Sequence, residues 1–340
     1  MLHILASAIH REELNLPFQI PQEFVDNHQC VAVLSGGAEA LFLKLVDEGK
    51  VSLSEPIYII ASGYSNSLAA SLEILTWIQQ HNGKGRVITE PEQLNQPIAD
   101  EQQARTRVGV IGEPSDWLIA SHIEDADALK FGVELVHIPI EEVSSLGEVD
   151  GGMKGAELIY VRLKEIISRY KLDALTLRCF DLLTTVKNTG CIALSHLNDE
   201  GIPASCEGDL PLLFTMLYAK QFYGQIGFQV NPARIQSDGK ILFAHCTIPL
   251  KMTTSHVYDT HFESGIGVGI HGELPLGKYR LLKLSPDLTE LVDEPVELIA
   301  NQYEPNLCRT QVWIQTTPEV ANELLTHPKA NHHLLIRDND

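Results

Sequence analysis

Apolar residues in the first ninety positions fall into short solid runs, separated by segments with helical spacing. Residues 2–8, VAVLSG (31–36), IYIIASG (57–63) and RVITEP (86–91) read as strands. Between them, GAEALFLKLVDEG and SLAASLEILTWIQQHNG repeat apolar positions three and four apart, the second ending at Gly83. Strands alternating with helices predict a doubly wound parallel sheet. The polar segment 90–106 predicts a helix or linker. The alternation then resumes with RVGVIG (107–112), and EPSDWLIASHI is expected to open a helix with Ser115 as its N-cap. VELVHIPI (133–140) is the next strand, 155–172 a helix, and ALTLRCF (174–180) a strand with Asp181 at its end. CIALSHLNDEGIPAS continues the unit, and 210–224 is a helix stopped by Gly224.

The texture changes after residue 225. GFQVNPARI, KILFAHCTI, GIGVGIHG, KYRLLKLS, EPVELIANQY, LCRTQVWIQ and HHLLIR are short strand-like runs broken by Gly, Pro, Asn and Asp. They predict an antiparallel barrel or sandwich, with 317–328 as its one helix. The expected division is an N-terminal α/β domain over 1–105, a second α/β domain over 106–225, and a β-barrel-like domain over 226–340. A length of 340 residues accommodates that.

Composition removes several function classes. The net charge of -20 argues against a nucleic-acid surface, which needs clustered Lys and Arg. No run of about 18 apolar residues predicts a membrane span. The first residues lack a basic leader and read as a strand, so the expected location is the cytoplasm. Six cysteines lie far apart with no C-x-x-C pair, so they read as buried free thiols and not as a zinc ribbon.

Candidate chemistry gathers between Leu177 and Pro249. Asp181, Glu207, Asp209 and His245 can bind a divalent metal and move protons. Each has a plainer role open to it. Asp209 suits a helix N-cap, Glu207 favours the same helix terminus by charge, and His245 in ILFAHC suits a buried core histidine. Gly208 permits the unusual torsions that would turn a carboxylate inward. Of His332 and His333, only one faces a shared site, because neighbouring strand residues point oppositely. His261 and Glu263 enter a glycine-rich turn. Arg309 suits either an anion or sugar hydroxyl, or a buried ion pair. Ser35-Gly36-Gly37 and the turn from Ser62 to Asn66 suit tight turns or a ligand-facing rim; neither fits a dinucleotide motif. Carboxylates with an imidazole suit Mn²⁺, Mg²⁺ or Fe²⁺ better than a structural zinc. Such a site fits aldose–ketose isomerisation, metal-assisted hydrolysis or aldol cleavage.

At CFDLL, LNDEGIPASCEGDLPLLFTM and AHCTIP the sequence resembles the L-fucose isomerase / L-arabinose isomerase family, and within it the L-fucose isomerase-like proteins. VAVLSGGAEALFL, SGYSNSLAASLEIL, GVIGEPSDWLIAS, THFESGIGVGI and NLCRTQ extend the resemblance over most of the chain. It implies two Rossmann-like α/β domains followed by a β-barrel-type domain. It also implies Mn²⁺ (Mg²⁺, Fe²⁺ or Co²⁺ as substitutes) and a cytoplasmic homo-oligomer, trimeric or hexameric, with active sites near subunit contacts. The implied activity is intramolecular sugar oxidoreduction through an enediol. In the fucose-type pattern Asp181, where the family often has Glu, and Asp209 bind metal and share acid/base work. In the arabinose-type pattern Glu207 is a ligand and an alternative base. A second Glu of that pattern is absent at Phe228-Gln229-Val230-Asn231, where Asn231 offers only an amide oxygen. His245 and His333 complete the implied metal set. His245, His261, Glu263, Arg309, His332 and Asn231 form the implied sugar-binding set. The alternatives are a non-catalytic carbohydrate-binding protein on this fold, and a metal-dependent sugar epimerase or lyase.

Overall fold

The computed structural model describes residues 2–7, 15–81, 83–96 and 105–338. The chain divides into two compact units, Met1–Gln103 and Ala104–Asp340. Among the described residues no helix is long and apolar enough to cross a membrane. All six cysteines are free thiols, five of them buried.

The first unit is a four-stranded parallel sheet with strands in sequence order. It runs β1 (Leu2–Leu5), α1 (Gln22–Asn27), β2 (Gln29–Val33), α2 (Glu39–Asp47), β3 (Ile57–Ala61), α3 (Ser67–Gln80) and β4 (Gly85–Ile88). The solid apolar runs become β2 and β3 because both faces of those strands are covered. Ala70, Ile74 and Ile78 of α3, spaced by four, pack with Val31, Val33 and Ile59. The serine-rich strand ends are turn chemistry. Ser35 Oγ accepts from the Ser7 N–H at 2.8 Å, and Ser67 Oγ accepts from the Gly63 N–H at 3.0 Å. Of the polar segment 90–106, Pro91–Asn95 form a single 3₁₀ turn and the part from 97 to 104 lies outside the described residues.

The second unit begins with β5 (Thr106–Ile111), α4 (Asp125–Lys130), β6 (Val133–Ile138), α5 (Glu141–Ser144), α6 (Met153–Tyr170) and β7 (Ala174–Leu177). It continues through α7 (Asp181–Thr185), α8 (Cys191–Asp199), β8 (Ala204–Cys206) and α9 (Leu210–Tyr223). Its parallel sheet has the order β6-β5-β7-β8. Gly224, at φ +66°, ends α9 as the sequence predicts. EPSDWLIASHI does not form the expected helix. Ser115 N–H is taken by Glu207 O at 2.9 Å, so the segment is pulled into turns against the Glu207 loop. Asp181 begins α7 rather than ending a strand, because β7 stops at Leu177.

The rest of the unit is β9 (Phe228–Ile235), β10 (Lys240–His245), β11 (Ser255–Thr260), β12 (Val268–Glu273), β13 (Gly277–Leu284), β14 (Leu291–Gln302), β15 (Thr310–Gln315), α10 (Pro318–Thr326) and β16 (His333–Arg337). Six of these strands close an antiparallel barrel in the order β10-β15-β14-β13-β16-β9, while β11 and β12 form a separate hairpin. Phe228, Val230, Phe243, Tyr279, Leu281 and Leu335 belong to the cluster that fills the barrel. Leu282, Leu334 and Ile336 point the other way and pack with Leu212 and Phe214 of α9. The second compact unit, Ala104–Asp340, thus holds both the parallel sheet and the barrel, with α9 packed against β13 and β16.

Candidate metal centre

The turn from β8 into α9 delivers two carboxylates to one end of the barrel. Glu207 takes φ +67° and Gly208 φ +76°, two left-handed residues in succession. Left-handed backbone at a non-glycine residue costs of order 1 kcal/mol or more and concentrates at functional sites. A Cβ on Gly208 would lie 2.6 Å from Pro114 Cα, so only glycine fits. The turn is held from below. Ser205 Oγ donates to Asp209 O at 3.0 Å, and Gln229 Oε1 of β9 accepts from Cys206 N–H at 2.9 Å.

His245 ends β10 and His332 directly precedes β16. Glu207, His245 and His332 each present one ligand atom, all within 4.8 Å of one another. Glu207 Oε1 lies 3.4 Å from His332 Nε2 and 3.8 Å from His245 Nε2. The other Glu207 oxygen accepts from Trp117 Nε1–H at 2.7 Å. His332 Nδ1 lies 2.8 Å from Asp209 Oδ2. A carboxylate only accepts, so this nitrogen carries the proton and Nε2 turns towards Glu207. His332 Nε2 is buried without a hydrogen-bond partner. His245 Nδ1 lies 2.8 Å from the Thr247 hydroxyl, which orients its ring in the same way.

The charges in the cluster are strongly coupled. Burial would raise Glu207, yet the nearby His332 and His245 hold it far below the usual carboxylate range. Burial would lower His332, yet Glu207 and Asp209 push it up to about 9. Burial keeps His245 below its ordinary value. Two imidazoles and one carboxylate with an orphaned ring nitrogen fit a first-row divalent ion. The Asp209–His332 contact is the support that metal-binding histidines ordinarily have.

The sequence candidates divide sharply. Glu207 and His245 come together as expected. His332, and not His333, joins them: His333 falls on the strand face shared with Leu335, its Nδ1 donates to Asn331 O at 2.9 Å, and burial lowers it to about 3. Asp209 is not one of the three. It is fully buried, and it caps α9 through Leu212 N–H at 2.8 Å while backing His332. Asp181 sits apart from the three, 3.0 Å from Arg178 Nε, in a cleft with Gly112 and His137 at the ends of β5 and β6.

His261 lies close by. Burial and the neighbouring His245 lower it to about 4, and its ring meets Phe180 edge-on at 5.6 Å. Phe180 in turn meets Trp117 at 4.8 Å. Glu263, in the same turn as His261, is raised by burial and by the charge of Glu207. Asn231 pairs in register with Ala244, beside His245, and its Oδ1 is buried without a partner. Arg309 is committed elsewhere: its Nε donates to Thr260 O at 2.7 Å and lies 3.4 Å from Asp259.

Trp117, which holds one Glu207 oxygen, is not legible in the sequence as a site residue. Trp117 looked like part of a helix. The chain matches no model of a known protein family and no curated protein sequence.

Proposed function

We propose that the chain is a divalent-metal-dependent aldose–ketose isomerase of the kind its sequence resembles. The observation that carries the reading is the convergence of Glu207 Oε1, His245 Nε2 and the unpartnered His332 Nε2 at one end of the barrel. These three would hold the ion, with Mn²⁺ the expected metal. Such an ion supplies polarisation of a sugar carbonyl and its adjacent hydroxyl. The parallel sheets fit the two Rossmann-like domains of that family, and the closed barrel fits its third.

The chain's own residues would supply the proton transfer. Isomerisation through an enediol moves one proton between neighbouring carbons, which needs a carboxyl group poised near neutrality. Asp209 has both oxygens engaged and Asp181 is held by Arg178. Glu263 is the better carrier, since it is solvent-accessible and raised above its ordinary value. Asn231 and His261 would then face sugar hydroxyls, with Phe180 and Trp117 as an apolar wall.

One observation favours a second reading, a sugar-binding protein without catalysis. The position of the family's second Glu is Asn231, which offers no charge. The two readings separate in D₂O. Aldoses and ketoses would be incubated with the protein and Mn²⁺, then with EDTA, and deuterium entry at C1 and C2 followed by NMR. Metal-dependent exchange on one sugar is expected. Sugar binding with no exchange on any sugar would replace the isomerase by the second reading.

A further inference from the structure

Two thiols meet directly behind the Glu207 turn. β7 stops at Leu177, and the Cys179 N–H donates to Leu177 O at 2.8 Å, which folds residue 179 back over the strand end. Leu177 pairs in register with Cys206, the last residue of β8. The two side chains therefore face one another, and Cys179 Sγ lies 2.7 Å from Cys206 Sγ. Both are buried in the apolar cluster that holds Leu177, Ala193 and Leu194. A Cβ on Gly190 would lie 3.3 Å from Cys179 Cβ, so the chain behind Cys179 keeps it against its partner.

Packing alone does not call for this pair. A buried free cysteine packs as a small apolar residue, and what sets it apart from one is the reactivity of its sulfur. Two sulfurs in contact across neighbouring strands need little backbone movement to bond. Cys206 is also an anchor of the turn. Its N–H donates to Gln229 Oε1 at 2.9 Å, and its carbonyl accepts from the Asp209 N–H at 3.3 Å. The Gly208 N–H donates to Leu177 O at 3.1 Å. A bond from Cys206 to Cys179 adds a covalent tie at that anchor.

We propose that Cys179 and Cys206 form a reversible dithiol–disulfide site that, once oxidised, locks the turn carrying Glu207. The oxidant is hydrogen peroxide. One sulfur attacks the O–O bond, becomes a sulfenic acid and releases one water. The second sulfur displaces the sulfenic oxygen as another water and closes the S–S bond. Two protons and two electrons pass from the thiols to the peroxide. A small dithiol returns both by exchange through a mixed disulfide. The inference is independent of what the Glu207 cluster binds.

The test is peroxide treatment of the full chain, alkylation of the remaining thiols, trypsin digestion and mass spectrometry. The peptide over 179–187 should be joined to the peptide over 188–220. Cys191 lies in the second peptide as well, so fragmentation must place the link at Cys206. The link should vanish with dithiothreitol and in C206S. It should persist in C308S, which removes the least buried thiol. Amide hydrogen exchange over 205–210 should slow about 10-fold or more in oxidised wild type, since exchange reports local opening. No link, or a link to Cys191 or Cys308 in place of Cys206, overturns the inference. So does a Cys179–Cys206 link that leaves exchange over 205–210 unchanged. Should C206S fail to fold, the wild-type link map and exchange decide alone.

Discussion

His332 Nδ1 and Asp209 Oδ2 lie 2.8 Å apart, both side chains fully buried, and join a residue at the start of β16 to the N-cap of α9. That single contact fixes the tautomer of His332 and sends its free nitrogen towards Glu207. It also makes one residue serve both a helix and a site. D209N should keep the cap, since an amide oxygen still accepts from Leu212 N–H. It should set an amide N–H against the His332 Nδ1–H, donor facing donor, at a cost of about 1–3 kcal/mol in unfolding free energy. Chemical denaturation of D209N checks this: a variant as stable as wild type would contradict it.

Metal-free protein should lose stability at alkaline pH. His332 is raised from 6.5 to about 9 in the folded state. Its contribution is therefore complete below about 6.5 and is lost as pH rises through about 9. The full effect approaches about 3 kcal/mol at 1.36 kcal/mol per pKa unit. Urea midpoints of the EDTA-treated wild type should fall across this window, while H332Q should stay nearly flat. A flat wild-type profile would show that His332 lacks the two carboxylate neighbours described.

Trp117 should report on the centre and support it. Its Nε1–H fixes one Glu207 oxygen, leaving the other for a cation. W117F should weaken Mn²⁺ binding about 10-fold, and wild-type tryptophan emission should change on Mn²⁺ addition. Unchanged affinity in W117F would mean that Glu207 is held by its backbone alone.

Gly208→Ala tests the turn itself. The substitution places a Cβ against Pro114 in a left-handed residue. It should cost more than about 1 kcal/mol of stability and lower metal affinity together. An alanine variant unaltered in both respects would show that the turn is not constrained.

Much of this was legible in the chain. Solid apolar runs gave the parallel strands, and Gly224 marked the end of α9. Glu207 and His245 were visible because Gly208 signalled an unusual turn and because ILFAHC placed a polar residue in an apolar strand. The choice between His332 and His333 was not visible, since it depends on which face of β16 meets α9. Ser115 and Trp117 misled, because tertiary hydrogen bonds to Glu207 override a local helical pattern. The place of Asp181 at the start of α7, beside Arg178 three residues away, was not visible because ALTLRCF reads as one strand up to it.

Anomalous diffraction from crystals of the protein grown with MnCl₂ tests the central claim most directly. The account predicts one strong peak within about 2.0–2.2 Å of Glu207 Oε1, His245 Nε2 and His332 Nε2, the ordinary length of such bonds to first-row metals. A peak at Asp181, or no peak among the three residues, would contradict it.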